Sequence, residues 1–199
     1  MADWSRFKEQ LWDRELNKPL LYQPIDHPEF ADWEVKQPCE ERLAMIRDAC
    51  GPVGSMVDFG CHTGWFCRQF ALDGWKTTGV EKSEIHVEIA RVVDEWAGVK
   101  TDYIVGNLLK SPIPVADVAL CLSVAMYLFD DVAAGWGFFN RVSESIPRMF
   151  IDWGGMYAKR LPFTRETIVG EMFRNTRYCI GIHLGDSGFE NRPLYLFER

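Results

Sequence analysis

Short apolar runs alternate with amphipathic segments along most of the chain. Five runs predict strands, at 55–60, 76–80, 102–105, 115–124 and 149–153. Helices are predicted between them wherever apolar residues recur every three or four positions, at 63–73, from Ser83 to Gly98, after Asp130 or Asp131, and after Thr164. Two further strands, at 179–184 and 193–197, have no helix between them and are predicted to pair antiparallel.

This order of elements predicts the fold class. Alternating strand and helix units are typical of a doubly wound α/β fold. We therefore expect a mostly parallel, seven-stranded sheet with a C-terminal antiparallel hairpin. The run 115–124 is apolar throughout, as a central parallel strand should be.

The residues before this pattern form a separate segment. Residues 1–37 are rich in aromatic side chains and contain three prolines, which predicts short helices and an irregular lid over the sheet. Pro38 is expected to open a helix that Gly51 ends, with Leu43, Ile46 and Ala49 on one face. The predicted domains are thus a lid segment, 1–37, and a ligand-binding domain, 38–199.

Composition narrows the class of protein. The 199 residues are 47% hydrophobic and carry a net charge of −7, which argues against nucleic acid or an anionic membrane as partner. Residues 141–199 hold nine basic and seven acidic side chains, so a local anion site is possible there. The start of the chain does not resemble a secretory signal, and the six cysteines form no Cys-x-x-Cys pair. We expect a cytoplasmic protein with reduced thiols and no metal site.

A glycine-containing loop follows the first strand of the alternating pattern. Asp58 stands two residues before Gly60, Gly64 follows, and Glu81 ends the next strand. In open α/β sheets, ligands bind at the carboxyl ends of the strands, where an acid such as Glu81 can accept both hydroxyls of a ribose. Glycines there also serve as plain turns, so the loop alone leaves both interpretations open.

Two nucleoside ligands compete for this loop. A dinucleotide favours Gly-x-Gly-x-x-Gly, but His62 stands where the second glycine belongs, and Asp58 would lie close to a pyrophosphate. S-adenosylmethionine has no phosphate, and its sulfonium and ammonium groups suit a carboxylate. Asn107, after the third strand, is a candidate for an adenine edge.

The segment Asp58-Phe-Gly60-Cys61-His62-Thr-Gly64 resembles the acid-x-Gly-x-Gly-x-Gly loop of class I S-adenosylmethionine-dependent methyltransferases, except at His62. The resemblance implies a methyltransferase-type Rossmann-like fold. It also implies cofactor-binding roles: Gly60, Cys61 and Gly64 would lie close to the methionine moiety. Asp58 would hold the amino group, Glu81 the ribose and Asn107 the adenine.

A second resemblance extends to the rest of the chain. It is to the methyltransferase domain of the bifunctional enzymes that cap bacterial O-antigen chains by phosphorylation and then methylation. The matching stretches are Tyr22–Phe30, Glu41–Leu43, Gly60–Phe66, Leu122–Val124 and Arg192–Leu196. It points to an oxygen as the methyl acceptor, of a phosphate as the sharper hypothesis. Tyr22, in the predicted lid, is a candidate to close over the cofactor, with ordinary packing as its alternative. Where that subgroup has two histidines after the fourth strand, this chain has Met126-Tyr127.

Several side chains are candidates for contact with the methyl acceptor. Tyr127 and His62 are the candidate catalytic residues, and each has ordinary packing as its alternative. The candidate substrate-binding residues, at or after the last strands, are Asp152, Arg165 and Arg192; Arg160, Arg174 and Arg177 could belong to the same anion site. His27 is a weaker candidate, whereas His86, His183 and Trp65 are expected to be ordinary packing or surface residues.

These residues predict a methyltransferase that modifies a small molecule or the end of a glycan. Two alternatives stay open at this point. One is a regulatory protein that binds S-adenosylmethionine without catalysis, since His62 and Met126-Tyr127 depart from the patterns of the family. The other is a nicotinamide-dinucleotide-dependent oxidoreductase.

Overall fold

The N-terminal elements form a small layer of their own. The computed structural model describes residues 4–36, 39–152, 164, 166–187 and 192–199. It begins with helix α1 (Trp4–Leu11) and strands β1 (Trp12–Asp13), β2 (Lys18–Leu21) and β3 (Glu34–Val35), with a 3₁₀ turn at Pro28–Phe30. β2 pairs antiparallel with β1 and parallel with β3.

A seven-stranded sheet forms the centre of the molecule. Its strands are β4 (Ser55–Phe59), β5 (Lys76–Glu81), β6 (Thr101–Val105), β7 (Val118–Cys121), β8 (Arg148–Asp152), β9 (Ile180–Ser187) and β10 (Arg192–Glu198). The order is β6-β5-β4-β7-β8-β10-β9. The first five of these are parallel neighbours, and β10 is antiparallel to both β8 and β9. The predicted fold class, with its C-terminal antiparallel hairpin, is confirmed.

Helices cover both faces of the sheet. They are α2 (Glu40–Ala49), α3 (Trp65–Leu72), α4 (Glu84–Ala97), α5 (Ala125–Leu128), α6 (Val132–Ser145) and α7 (Ile168–Asn175). The caps explain several of their ends. Ser83 accepts the His86 N–H at the start of α4, and Gly98 ends that helix with a φ of +69°. Asp131 accepts the Ala134 N–H at the start of α6.

The pleat of β4 divides the core into two halves. Val57 and Phe59 belong to a cluster that includes Phe138 of α6, whereas Met56 belongs to a second cluster with Phe66 of α3. Because both faces of this strand are buried, its sequence is a continuous apolar run interrupted by one polar residue, Asp58. A buried aspartate at the end of a central strand therefore needs a functional explanation.

The N-terminal layer packs against α4. Phe7, Leu11 and Phe30 form a third cluster with Ile89 and Val93 of that helix. A two-pronged ion pair between Arg6 and Glu88 lies beside it on the surface. The layer is thus fixed to the helix that follows β5.

Four predicted details of the elements are wrong or lie outside the described residues. Strand β7 is shorter than the run 115–124: Val115 is 89% exposed, and Asp117 turns back to bind the Ser55 backbone. The helix predicted from Thr164 begins at Ile168, with Thr167 as its N-cap. In α4, the helical spacing of Ile85, Ile89, Val92 and Trp96 in the sequence predicts one apolar face, but Trp96 is 55% exposed. Pro38 lies outside the described residues, and α2 begins after Cys39.

All six cysteines are free thiols, and five of them are buried. In the part of the chain that the structure describes, no helix is both long enough and apolar enough to cross a bilayer.

Candidate active site

A cavity of about 430 Å³ lies at the carboxyl ends of β4, β5, β6 and β7. Its lining includes six residues that the sequence singles out: Tyr22, Gly60, His62, Glu81, Asn107 and Tyr127. Parallel strands all end at this edge of the sheet, and here the strand order reverses between β4 and β7. The topology therefore brings together residues that are up to about a hundred positions apart in the sequence.

The glycines of the loop after β4 play different parts. Gly60 has a φ of +78° and lines the cavity; a Cβ there would meet Val124 at 2.8 Å. Gly64 has a φ of +76° and is the N-cap of α3, but a Cβ there would meet the Tyr103 hydroxyl at 2.2 Å. Gly60 thus keeps the cavity open, whereas Gly64 lets the loop pack against β6 outside the cavity lining.

Glu81 is held rigidly at the end of β5. Its Oε2 accepts the His62 N–H at 3.1 Å, and its Oε1 accepts the Ser83 N–H at 2.9 Å. The side chain is only 8% exposed and lines the cavity. His62 adopts a φ of +52° to make this contact, a conformation that few non-glycine residues take. The loop and the carboxylate therefore fix each other.

Asp58 lies beneath the cavity rather than in its lining. It is 2% exposed, and its Oδ2 has no hydrogen-bond partner among the described residues. Burial, and after it the nearby negative charge of Glu81, raises the pKa of Asp58 to about 7. Cys61 is likewise buried below the loop, with a raised pKa. An unpartnered buried carboxyl is the kind of group that a bound cation would satisfy.

Asn107 follows β6 and lines the far side of the cavity. Its Oδ1 accepts the Leu109 N–H at 2.9 Å, which fixes the side chain in a turn. The side-chain NH₂ group has no partner within the described ranges, so it is available to a ligand.

Two histidines and a tyrosine form one wall of the cavity. The His62 ring lies 3.9 Å from the His86 ring and 5.4 Å from the Tyr22 ring, measured between centroids. Burial lowers the pKa of His62 to about 3, aided by the neighbouring His86. Burial also lowers the pKa of His86. His86 was expected to be an ordinary packing or surface residue, and its position in the cavity lining was not predicted. The N-cap Ser83 was the available signal, since it puts His86 on the first turn of α4, beside Glu81.

The opposite end of the cavity is more open. Tyr127 lies in the short helix α5 and is 53% exposed. Ser123, four residues before it in the described loop, has a φ of +56° and also lines the cavity. Ser123 belongs to one of the stretches that carry the resemblance, but its place in the cavity lining was not predicted, because nothing in a sequence signals a positive φ at a serine.

A buried charge network lies behind Ser123. Arg42 bonds Asp152 at 2.5 Å and the Ser123 Oγ at 3.1 Å, while Arg192 donates to the same Oγ at 2.8 Å. Asp152 in turn accepts the Ser123 N–H at 2.5 Å. The predicted substrate residues Asp152 and Arg192 are thus brought together, but they contact the cavity through Ser123. Arg42, which sequence analysis did not assign to the site, completes the network.

The remaining candidates lie elsewhere. Arg174 and Arg177 are paired with Glu171 and Glu144 on the surface. His27 stacks on Trp4 at 4.1 Å, away from the cavity lining. Arg160 and Arg165 lie outside the described residues.

Trp65 packs as expected. It is buried, and its indole donates to Asp26 of the N-terminal layer at 3.1 Å. Gln69 donates to the same carboxylate at 3.0 Å. These bonds tie the layer that carries Tyr22 to helix α3.

The residues present fit S-adenosylmethionine. Gly60 leaves space for close approach of a ligand, Glu81 offers a fixed carboxylate for a ribose, and the unpartnered Asp58 Oδ2 offers an acceptor to an ammonium group. A pyrophosphate fits less well, because the carboxylates of Asp58 and Glu81 both lie at the loop.

Comparison with known proteins agrees with this fit. Residues 57–145 match the family described as a methyltransferase domain, and this stretch runs from β4 to α6 and contains the cavity-lining residues other than Tyr22. The matched segment is thus a methyltransferase domain, and the fold neighbours, among them a methyltransferase with bound S-adenosylmethionine, share the sheet of this chain. The predicted recognition and the predicted cofactor are confirmed, and the dinucleotide alternative is set aside.

Particular relatives follow from the same comparison. A ubiquinone biosynthesis O-methyltransferase from Bordetella pertussis is 26% identical over 55% of this chain and 52% of its own length. The chain thus spans about half the length of the curated relatives it matches. The bifunctional kinase-methyltransferase WbdD superposes with a TM-score of 0.78, at 18% identity over 98% of this chain and 46% of that one. The magnesium protoporphyrin IX methyltransferase ChlM from Synechocystis PCC 6803, solved with bound S-adenosylmethionine, superposes with a TM-score of 0.66. It is 14% identical, over 100% of this chain and 98% of that one. These structural likenesses show the shared fold.

Proposed function

We propose that this protein transfers the methyl group of S-adenosylmethionine to an oxygen atom of a small or glycan-like acceptor. The observation that carries the proposal is the construction of one cavity with two unlike ends. Glu81 is clamped by two backbone N–H groups at one end, and Tyr127 is exposed at the other. The first end suits a nucleoside and the second an exchangeable acceptor.

Each polar group of the first end has a matching group on the cofactor. Glu81 would accept hydrogen bonds from the ribose hydroxyls, and the NH₂ group of Asn107 would bind the adenine edge. Asp58 would bind the ammonium group, directly or through water. The methionine moiety would lie against the backbone at Gly60, and Cys61 and Gly64 would support the loop on the side away from the cavity.

The N-terminal layer, residues 1–37 in our division of the chain, would act as a lid. It carries Tyr22 to the cavity wall, and Asp26 fixes it to Trp65 and Gln69. A lid excludes water from the reacting groups, which methyl transfer requires.

Bound S-adenosylmethionine supplies a methyl group on a sulfonium, a leaving group that needs no further activation. The work left to the protein is to align the acceptor oxygen and exclude water. A hydroxyl acceptor must also lose its proton, and Tyr127 or His62 would take it. Because the pKa of His62 is lowered to about 3, its imidazole is neutral but a weak base at physiological pH, which favours Tyr127 over His62 for this role.

A phosphate monoester is the sharper proposal for the acceptor. Two guanidinium groups, those of Arg42 and Arg192, donate to the Oγ of Ser123, and Ser123 lines the cavity. Guanidinium groups suit phosphate oxygens, which supports an anionic acceptor on the cavity side of Ser123. The name of WbdD, a kinase-methyltransferase, points the same way, because a kinase makes phosphate esters.

The test is a methyl-transfer screen that compares monophosphorylated sugars with their unphosphorylated parents. We expect the phosphorylated compounds to react faster, and Arg192→Lys to raise their KM while Arg177→Lys, a surface control, leaves it unchanged. Equal rates for both sets of compounds would refute the phosphate proposal. Tyr127 would then lead as base for a hydroxyl acceptor, and Tyr127→Phe should lower kcat. Cofactor binding without turnover on any oxygen acceptor would favour the regulatory alternative.

A further inference from the structure

The ring of His86 packs against the ring of His62 in the cavity lining, and the proposed function does not yet give His86 a role. The two ring centroids are 3.9 Å apart, and both residues line the cavity beside Glu81. The Nδ1 atom of His86 is buried and has no hydrogen-bond partner among the described residues. The backbone N–H of His86 is bonded to the Ser83 Oγ, which sets the position of the ring on the first turn of α4.

The buried Nδ1 indicates which tautomer His86 takes. An unpaired N–H donor inside the protein costs more than an unpaired nitrogen lone pair, so the proton belongs on Nε2. With Nδ1 turned into the protein, the edge of the ring that meets the cavity carries the Nε2–H. Burial lowers the pKa of His86, in keeping with a neutral ring that has one donor.

Ribose chemistry calls for such a donor. Glu81 only accepts hydrogen bonds, so it binds the two hydroxyl protons of a ribose and leaves the lone pairs of the hydroxyl oxygens unsatisfied. Resting on the proposed function, we propose that His86 completes this site: its Nε2–H donates to a ribose hydroxyl oxygen of the cofactor, and the tilted ring of His62, packed against it, holds the His86 ring in place. His86 is then a cofactor-binding residue, and the pair selects ribose over deoxyribose.

The experiment is calorimetric titration with S-adenosylhomocysteine and with its 2′-deoxy and 3′-deoxy analogues. The proteins are the wild type, His86→Ala, His86→Gln and, as a matched control outside the cavity, His183→Ala. His86→Ala should weaken binding of S-adenosylhomocysteine about 3- to 10-fold, the range for one lost hydrogen bond. The same change should leave binding of one deoxy analogue nearly unaffected. His86→Gln, which keeps an N–H donor, should recover part of the affinity, and His183→Ala should match the wild type.

Two results would overturn the inference. His86→Ala could bind S-adenosylhomocysteine as tightly as the wild type does. It could instead lose the same factor for all three ligands, which would show that the ring only packs against the cofactor. Thermal unfolding of each variant shows whether it is folded, and His86→Gln tests the donor if His86→Ala is not. A wild type that binds none of the ligands would refute the proposed function itself.

Discussion

Asp58 is a carboxyl group in an unfavourable environment. It is buried in the centre of the sheet, its Oδ2 lacks a partner within the described residues, and burial followed by the charge of Glu81 raises its pKa to about 7. Such a group opposes folding of the ligand-free protein. Its presence is understandable if the cofactor's ammonium group relieves the cost.

The raised pKa of Asp58 predicts a pH-dependent stability. Between its unfolded value of 3.8 and about 7, the folded protein keeps a proton that the unfolded chain has lost. The contribution of this residue to the free energy of unfolding therefore falls as pH rises through that window and stays low above it. Asp58→Asn should raise the free energy of unfolding by roughly 2–4 kcal/mol at pH 8 and change it little at pH 4. Urea unfolding at both pH values checks this, and equal effects at the two pH values would contradict it.

The same residue predicts how cofactor binding depends on pH. A cationic ammonium group binds the ionised form of Asp58, so the affinity for S-adenosylhomocysteine should rise as pH increases from 6 to 8. In Asp58→Asn the affinity should be weaker, and this part of the pH dependence should disappear. Calorimetry across that range measures both, and an Asp58→Asn variant with the pH profile of the wild type would show that another group titrates.

Two glycines with similar backbone angles allow strain to be separated from crowding. Gly64 and Gly98 have φ values of +76° and +69°, but only Gly64 has atoms within 4 Å of an added Cβ, with the Tyr103 hydroxyl at 2.2 Å. Gly98→Ala should destabilise by about 1 kcal/mol from strain alone. Gly64→Ala should cost about 1–3 kcal/mol more. Equal losses in urea unfolding would mean that the loop adjusts freely around Tyr103.

At the scale of elements, a buried ion pair joins the two helices that flank the cavity loop. Arg68 of α3 bonds Asp94 of α4 at 2.7 Å, and the Tyr103 hydroxyl donates to the same carboxylate at 2.9 Å. All of these groups are buried or partly buried, so the loss of one partner leaves a charge without compensation.

Arg68→Met should therefore destabilise the protein by about 3–5 kcal/mol. Arg174→Met is the matched control, because Arg174 pairs with Glu171 on an exposed part of α7 and its loss should cost less than about 1 kcal/mol. Denaturant unfolding of both variants checks the contrast. Comparable losses would show that Arg68 is no more important than a surface arginine.

The elements themselves could be predicted because their patterns are local. The periodic apolar residues, the Ser83 cap and the missing helix before the last strand are all visible in the sequence, and the sheet confirms them. The ends of β7 were not visible, because they depend on Asp117 binding Ser55, 62 positions away. The same holds for Arg42, whose place in the site depends on Asp152 and Ser123 from other strands.

The cavity-lining residues that could be predicted from the sequence are those that lie close to the end of a strand. Glu81, Gly60 and Asn107 follow strands directly and line the cavity. His86 is further on, in the first turn of α4, where the Ser83 Oγ accepts its backbone N–H, and it also lines the cavity. Arg192 was expected at a substrate site from its charge, yet the structure places it behind Ser123. Charge in a sequence does not show which side of a sheet a residue faces.

At the scale of the whole molecule, the sheet order decides where the chemistry takes place. The strands on one side of β4 lead into Glu81 and Asn107, and those on the other side lead into Ser123 and Asp152. In the proposed function, the reversal of strand order at β4 would therefore separate the nucleoside end of the cavity from its acceptor end. The N-terminal layer contributes Tyr22 between them.

The central claim is that this cavity binds S-adenosylmethionine through Glu81. Calorimetric titration with S-adenosylmethionine, and separately with NADH, tests it most directly. We predict a dissociation constant of roughly micromolar order for S-adenosylmethionine, no heat with NADH, and an affinity loss of about 1–3 kcal/mol in Glu81→Ala. Binding of NADH in place of S-adenosylmethionine, or unchanged affinity in Glu81→Ala, would contradict the claim.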